Sequence, residues 1–382
     1  MSNQRTLFLI AGEPSGDTRG AELIRALKKE DPSLRFEGLG GSKMRAEGMK
    51  LLFDLPSLAA IGFGDVIRQY SRIRQIFYQA IHHVKQTKPA AIILIDYPGF
   101  NLRFAKKMKK EIPVLYYISP QIWAWGMRRM AVIKRFVTRM LVLFKFEEKM
   151  YQDAGMPVTW VGHPLVESVK TDQSKADLRR TLDLEVWEKV VALLPGSRET
   201  EVRRILPVVL ESAVQISQKH PDFRFLLSET SNVSKSIYED ILKPYKTSLK
   251  LICLQDRMHD ILFASDAAIV ASGTATLETA LTLIPFVIVY KTAWSTYTLG
   301  KRLIRIPFIG MVNIIGGHKI ISEFIQHDAV PENIANEICM ILENEDIRMR
   351  ILEQLKEVKE KLGPPGAPAR AAQAILACLN RS

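Results

Sequence analysis

Short runs with no polar side chain recur along the chain: AIILI at 91–95, VVALL at 190–194 and AAIVA at 267–271. They run into Asp-Tyr-Pro-Gly, Pro-Gly-Ser and Ser-Gly-Thr, and a helical pattern follows each. A strand with one face in water alternates polar and apolar residues. A strand without that alternation is covered on both faces, which in a soluble chain means a parallel sheet with helices on either side. Further strands are expected at 6–11, 35–39, 114–118, 140–144 and 158–161, then at 224–227, 249–254 and 286–290, with helices between them such as 18–29 and 102–110.

The pattern pauses over a polar stretch, 165–189, and restarts. With 382 residues, two domains are the natural division. The expectation is α/β: two doubly wound, Rossmann-like domains facing across a cleft, 1–165 and 166–330. Residues 331–382 read as helices, "ILENEDIRMRILEQLKEVKEKL" being strongly amphipathic, that pack back on the first domain. In such sheets ligands bind at the carboxyl ends of the strands, so the loops after them carry the chemistry.

Charge divides the two halves. Residues 1–165 hold 26 Lys and Arg against 14 Asp and Glu, whereas 166–382 hold 27 of each. Between 101 and 146 there are eleven basic residues and one acid, Glu111. Such a surface attracts a polyanion, either nucleic acid or anionic lipid. No nucleic-acid module accompanies it, so a nucleic-acid partner is not expected. Three separated thiols, Cys253, Cys339 and Cys378, without a CxxC pair fit a reduced, cytoplasmic protein. No secretory leader and no spanning segment is expected.

Two loops of the second half suit phosphate. In VALLPGSRETEV (191–202), Gly196 and Ser197 allow close backbone approach, the helix start offers free N–H groups, and Arg198 adds a cationic fork. In AAIVASGTATLETAL (267–281), Ser272, Gly273 and Thr274 repeat the arrangement, and Glu278 lies one helical turn past Thr274. A carboxylate there can accept from both ribose hydroxyls, although a plain N-cap with a first-turn acid has the same pattern. Together the two loops favour a nucleotide.

In the first half, Asp96 stands at the end of a buried strand. Pro98 and Gly99 break that strand, and Asn101 is placed to cap the basic helix after it. A carboxyl among apolar groups gains basicity and suits a general base, unless it serves only the turn. LIAGEPSGD (9–17) has the outline of a phosphate loop but carries Glu13 and Asp17, which would repel phosphate. GDVIRQYSRIRQIFYQAIHH (64–83) spaces Ile67, Tyr70, Ile73 and Phe77 on one helical face, with Arg72 and Arg74 between. That face fits either a core or a membrane interface. Scattered histidines, without HExxH or DxD, argue against a metal site, and no cofactor is expected.

AGEPSGD, ISPQIWAWG (118–126), LLPGSRETEV and ASGTATLE, in this order and spacing, together resemble the lipid-A-disaccharide synthase family. The resemblance spans nearly the whole chain. It implies a metal-independent, inverting glycosyltransferase of GT-B fold at the cytoplasmic face of the inner membrane. The reaction would join UDP-2,3-diacylglucosamine to 2,3-diacylglucosamine 1-phosphate (lipid X), giving the β-1,6 lipid A disaccharide 1-phosphate and UDP. Another GT-B UDP-GlcNAc transferase or a UDP-sugar epimerase is the alternative. By the same resemblance Asp96 is the base on the acceptor 6-hydroxyl, and Ser197 with Arg198 meets the diphosphate. It also puts the 9–17 loop on the acceptor side, where Ser15, Gly16 and Asp17 would face sugar hydroxyls, with Glu13 a second candidate base. Ser272, Gly273, Thr274 and Glu278 meet UDP, and Asn313 lies near the donor. Val312 stands where the family more often has Pro. Trp123 and Trp125 beside Arg128 and Arg129 fit a place near lipid, although packing within the fold is the default for a Trp. The family's C-terminal segments can exchange between chains, which allows a homodimer.

Overall fold

The computed structural model describes residues 5–60, 66–124, 126–292 and 307–380, without the side chains of 59–60 and 66–70. It divides into two compact units, Met1–Pro164 with Leu362–Ser382, and Leu165–Lys361. The segment 331–382, expected as one piece, is split between them. Helices Pro331–Glu343 and Glu345–Lys361 belong to the second unit, and only Ala367–Leu379 returns to the first.

The first unit is built on a parallel sheet of seven strands, ordered β3-β2-β1-β4-β5-β6-β7. These are β1 Thr6–Ala11, β2 Arg35–Gly40, β3 Lys50–Asp54, β4 Ala91–Ile95, β5 Val114–Tyr117, β6 Arg139–Val142 and β7 Val158–Trp160. The second unit repeats the plan as β10-β9-β8-β11-β12-β13. Its strands are β8 Val190–Leu194, β9 Arg224–Glu229, β10 Leu251–Gln255, β11 Ala267–Ala271, β12 Phe286–Tyr290 and β13 Glu323–Ile325. The wholly apolar runs are the central strands. Every residue of β4 is buried, as is every residue of β8 and β11. The strands that the sequence did not reveal, β3 and β13, are edge strands whose residues are half-buried or exposed.

In each sheet the strand order reverses at one place. β1 pairs with β2 on one side and β4 on the other, and β8 pairs with β9 and β11 in the same way. Consecutive crossovers leave a gap above such a reversal, and ligands of doubly wound folds lodge there. In the second unit a buried brace fixes the strands' entry. Arg179 donates to Ala264 O and Glu188 O and pairs with Asp266 at 2.7 Å, while Asp266 also accepts from Val190 N at 2.8 Å.

Helix Val66–Thr87 covers the first sheet. Ile76, Ala80 and Val84 are buried, and Ile73 and Phe77 pack partly buried against the same core. Phe77 sets its ring edge-on to Phe100 at 5.1 Å and to Phe104 at 5.9 Å. Ile73 and Phe77 are therefore core residues rather than membrane contacts, because a helix lying over a sheet needs the same apolar spacing as one lying on lipid. Arg72 and Arg74 are exposed on the outer side, while the side chains of Ile67 and Tyr70 lie outside the described residues. The returning helix Ala367–Leu379 packs against helix Pro14–Glu30. Its Arg370 fastens the turn by donating to Val161 O, Pro364 O and Pro365 O.

Candidate active site

In the second unit the loops after β8 and β11 come from neighbouring strands at the reversal. Gly196 takes φ 115°, in the left-handed region, and a Cβ there would meet Glu201 Oε2 at 2.6 Å. The turn thus needs glycine, and it aims the amides of Ser197 and Arg198 at one point ahead of helix Glu199–Lys219. After β11, Ser272 is half-buried, Gly273 and Thr274 are exposed, and the buried Thr276 ties its hydroxyl back to Gly273 O at 2.8 Å. Glu278 Oε1 lies 3.2 Å from His259 Nε2. Apart from the buried Thr276, these residues line one cleft of about 730 Å³, a volume ordinary for small-ligand pockets.

The cleft extends to residues that the sequence reading missed: Lys170, Ser228–Thr230 at the end of β9, and Asp256–Asp260 after β10. Their signal was position alone, since both loops also follow strands. Asn313, by contrast, is not free to hold a donor. It is fully buried, its Nδ2 donates to Ile321 O and Glu323 Oε1, and its Oδ1 accepts from Ile320 N and Ile321 N. Its two donors and two acceptor sites are all spent on bracing its own loop.

In the first unit, β1 and β4 deliver Glu13 and Asp96 to the other reversal. Gly12 lets the Tyr97 ring approach so closely that a Cβ would lie 2.1 Å from it. Asp96 and Tyr97 both take left-handed backbone, φ 45° and 46°. The turn is held by its carbonyl: Asp96 O accepts from Asn101 Nδ2 at 2.7 Å and from Tyr116 Oη at 2.6 Å. Asn101 was expected as a helix cap but instead anchors this strained turn, its amide also reaching Ile95 O. The Asp96 carboxyl is raised to about 6, first by burial and then by the negative charge of Glu13. Glu13 itself is exposed at the start of helix Pro14–Glu30.

Ser15 is exposed and Gly16 is buried against β1, but Asp17 faces the other way. Its buried carboxylate accepts from Gly41 N at 2.8 Å, Lys43 N at 3.0 Å and Met44 N at 3.1 Å. The start of helix Ser42–Ala46 occupies both oxygens, so Asp17 is a structural cap and no sugar ligand.

The ISPQIWAWG stretch is held from below. Ser119 Oγ lies 2.9 Å from Tyr151 Oη, and Trp123 Nε1 donates to Glu147 Oε1 at 3.2 Å. Burial pushes Glu147 up to about 8. Trp123 stands edge-on to Phe146 at 5.3 Å, so it packs within the fold rather than reaching for lipid; Trp125 lies outside the described residues. Among the described residues one cluster, His220, Cys339 and Glu343, has metal-ligand types within 4.8 Å. It sits at the opposite end of helix Glu199–Lys219 from the amide loop, with His220 Nε2 and Glu343 Oε1 paired at 2.6 Å. No helix among the described residues is long and apolar enough to cross a membrane.

The family model described as lipid-A-disaccharide synthetase matches residues 7–375. The chain belongs to the lipid-A-disaccharide synthase family. A lipid-A-disaccharide synthase of Coxiella burnetii is 40% identical over 376 residues, covering 98% of each chain. One of Trichlorobacter lovleyi is 40% identical over 381 residues, covering 99% of this chain and 98% of its own. Among solved structures, S. aureus MnaA with UDP aligns at TM-score 0.65 and 13% identity over 98% of this chain and 97% of that one. A glycosyltransferase from Rickettsia africae aligns at TM-score 0.58 and 12% identity over the whole of both chains. At such identities these two establish the fold, that of GT-B glycosyltransferases and epimerases. The synthase family carries the role in making the lipid A disaccharide, and the epimerase alternative is not favoured.

Proposed function

We propose that this synthase transfers 2,3-diacylglucosamine from its UDP ester to the 6-hydroxyl of 2,3-diacylglucosamine 1-phosphate (lipid X), with inversion. The observation that carries the reading is Asp96: a carboxyl at a sheet reversal, held by its own carbonyl, with its affinity for a proton raised to about 6. Such a group is ionised at neutral pH yet basic enough to take a proton from an attacking hydroxyl. As the sugar oxygen bonds to the donor C1, Asp96 accepts its proton and the bond from C1 to the diphosphate breaks.

The leaving UDP takes its charge to the loops of the second unit. Ser197 and Arg198 receive the diphosphate, Ser272, Gly273 and Thr274 supply a second helix start, and Glu278 binds the ribose. Fixed N–H groups and a guanidinium stabilise developing negative charge without a metal ion. Ser15 and Glu13 would touch the acceptor sugar. The excess positive charge of residues 1–165 favours attachment to the anionic cytoplasmic face of the inner membrane, where both acylated substrates reside.

The decisive assay mixes the two acylated glucosamines with enzyme in EDTA and follows disaccharide formation by wild type and Asp96→Ala. Wild type should form the disaccharide with chelator present, and Asp96→Ala should be nearly inactive. No product from wild type would refute the activity. Full activity in Asp96→Ala would leave the transfer standing and remove the base.

A further inference from the structure

The loop that would receive the diphosphate already grips an anion supplied by the chain itself. Glu201 Oε2 accepts from Ser197 N at 3.0 Å and from Arg198 N at 3.3 Å, and Oε1 pairs with Arg198 Nη1 at 3.1 Å. The missing Cβ of Gly196 leaves the space in which that carboxylate sits. A carboxylate and a pair of phosphoryl oxygens ask for the same partners: amide N–H groups and a guanidinium at a helix start. The two cannot occupy these donors together, since both are negative. Arg198 remains largely exposed, with 77% of its side chain open, and is free to turn toward a ligand.

We propose that Glu201 is a displaceable latch on the diphosphate site, a positioning residue that keeps the empty loop in its binding shape and opposes retention of UDP. The inference rests on the UDP reading of this cleft. When diphosphate enters, the Glu201 carboxylate gives up the amides of Ser197 and Arg198. In the product complex its charge repels the bound UDP, and its return to the amides accompanies release. A Glu that merely caps the helix would leave ligand affinity unchanged, or lower it on removal.

The test measures UDP dissociation constants by calorimetry for wild type, Glu201→Gln, Glu201→Asp and Arg198→Ala, with thermal unfolding of each. Gln keeps an oxygen for the loop amides but loses the charge; Asp keeps the charge on a stem one methylene shorter. Glu201→Gln should bind UDP about two- to fivefold more tightly, the scale of removing one partly exposed like-charge contact. Product inhibition by UDP should strengthen in parallel, and Glu201→Asp should fall between wild type and Gln. Arg198→Ala should bind more weakly. Equal or weaker binding in both Glu201 variants, with Arg198→Ala still weakened, overturns the latch and leaves the UDP site intact. Wild type that fails to bind UDP overturns the site and the latch with it.

Discussion

If Asp96 is the base, the pH dependence of the reaction is fixed by its surroundings, and Glu13 is the group with which to perturb it. Its carboxyl stands at about 6 against an ordinary 3.8, with burial the larger cause and the Glu13 charge the next. A base works only when ionised, so kcat/KM should rise through pH 6 and level off above it. At pH 5 the ionised fraction, and with it the rate, is about one-tenth of the plateau; an unperturbed Asp would still give over ~90%. Glu13→Gln removes a negative charge, makes ionisation easier and lowers the midpoint. Because burial remains, the fall is about half a unit to one unit, which lifts the pH 5 rate to roughly one-third of that variant's own plateau. The assay is initial disaccharide formation at subsaturating substrate between pH 4.5 and 8.5, each variant scaled to its own plateau. A wild-type rate near plateau at pH 5 would refute Asp96 as the titrating base. So would a midpoint in Glu13→Gln that stays put or moves upward. Loss of all activity in Glu13→Gln while Asp96→Asn still turns over would pass the base role to Glu13.

Three further outcomes are expected. Glu147 has a folded value of about 8, above the ordinary 4.5, so the stability it confers is present below pH 4.5 and is lost as pH rises toward 8. The loss is at most on the order of 4 kcal/mol, and Glu147→Gln should flatten the fall in urea midpoint between pH 5 and 8; an unchanged slope would place the titrating group elsewhere. Asp17→Ala strips three backbone amides of their buried acceptor and should cost about 3–5 kcal/mol in denaturant unfolding. A loss of activity at unchanged stability would instead return Asp17 to the acceptor site. Arg198→Ala should lower kcat about a hundredfold or more if the guanidinium meets charge that develops only as UDP departs; a rise in KM at constant kcat would make it a ground-state contact.

The sheets could be read from the sequence because their central strands are buried on both faces, and AIILI, VVALL and AAIVA leave no other placement. The loops at the strand ends were legible for the same reason, since Gly196 and Asp96 stand where a buried strand must turn. The edge strands β3 and β13 were not, because KLLFD is bracketed by charges and EFI opens on one, which leaves apolar runs too short to stand out. Nor did periodicity say what the helix Val66–Thr87 lies upon; lipid and a sheet ask for the same spacing, and the rings of Phe100 and Phe104 decided it.

The polar residues mark the boundary most clearly. Asp17 and Asn313 have the residue types that hold sugars and nucleotides. Tertiary structure spends Asp17 on amides 24 to 27 residues away and Asn313 on its own loop. Asp96 and Glu201 have no such prior commitment to a distant segment. Sequence determined which strands are central, and therefore which loops stand at the reversals, because burial on both faces is a local, apolar pattern. The fold alone decided which polar side chains in those loops are spent on internal hydrogen bonds, because a hydrogen-bond partner is chosen by proximity in space and leaves no trace in the spacing along the chain.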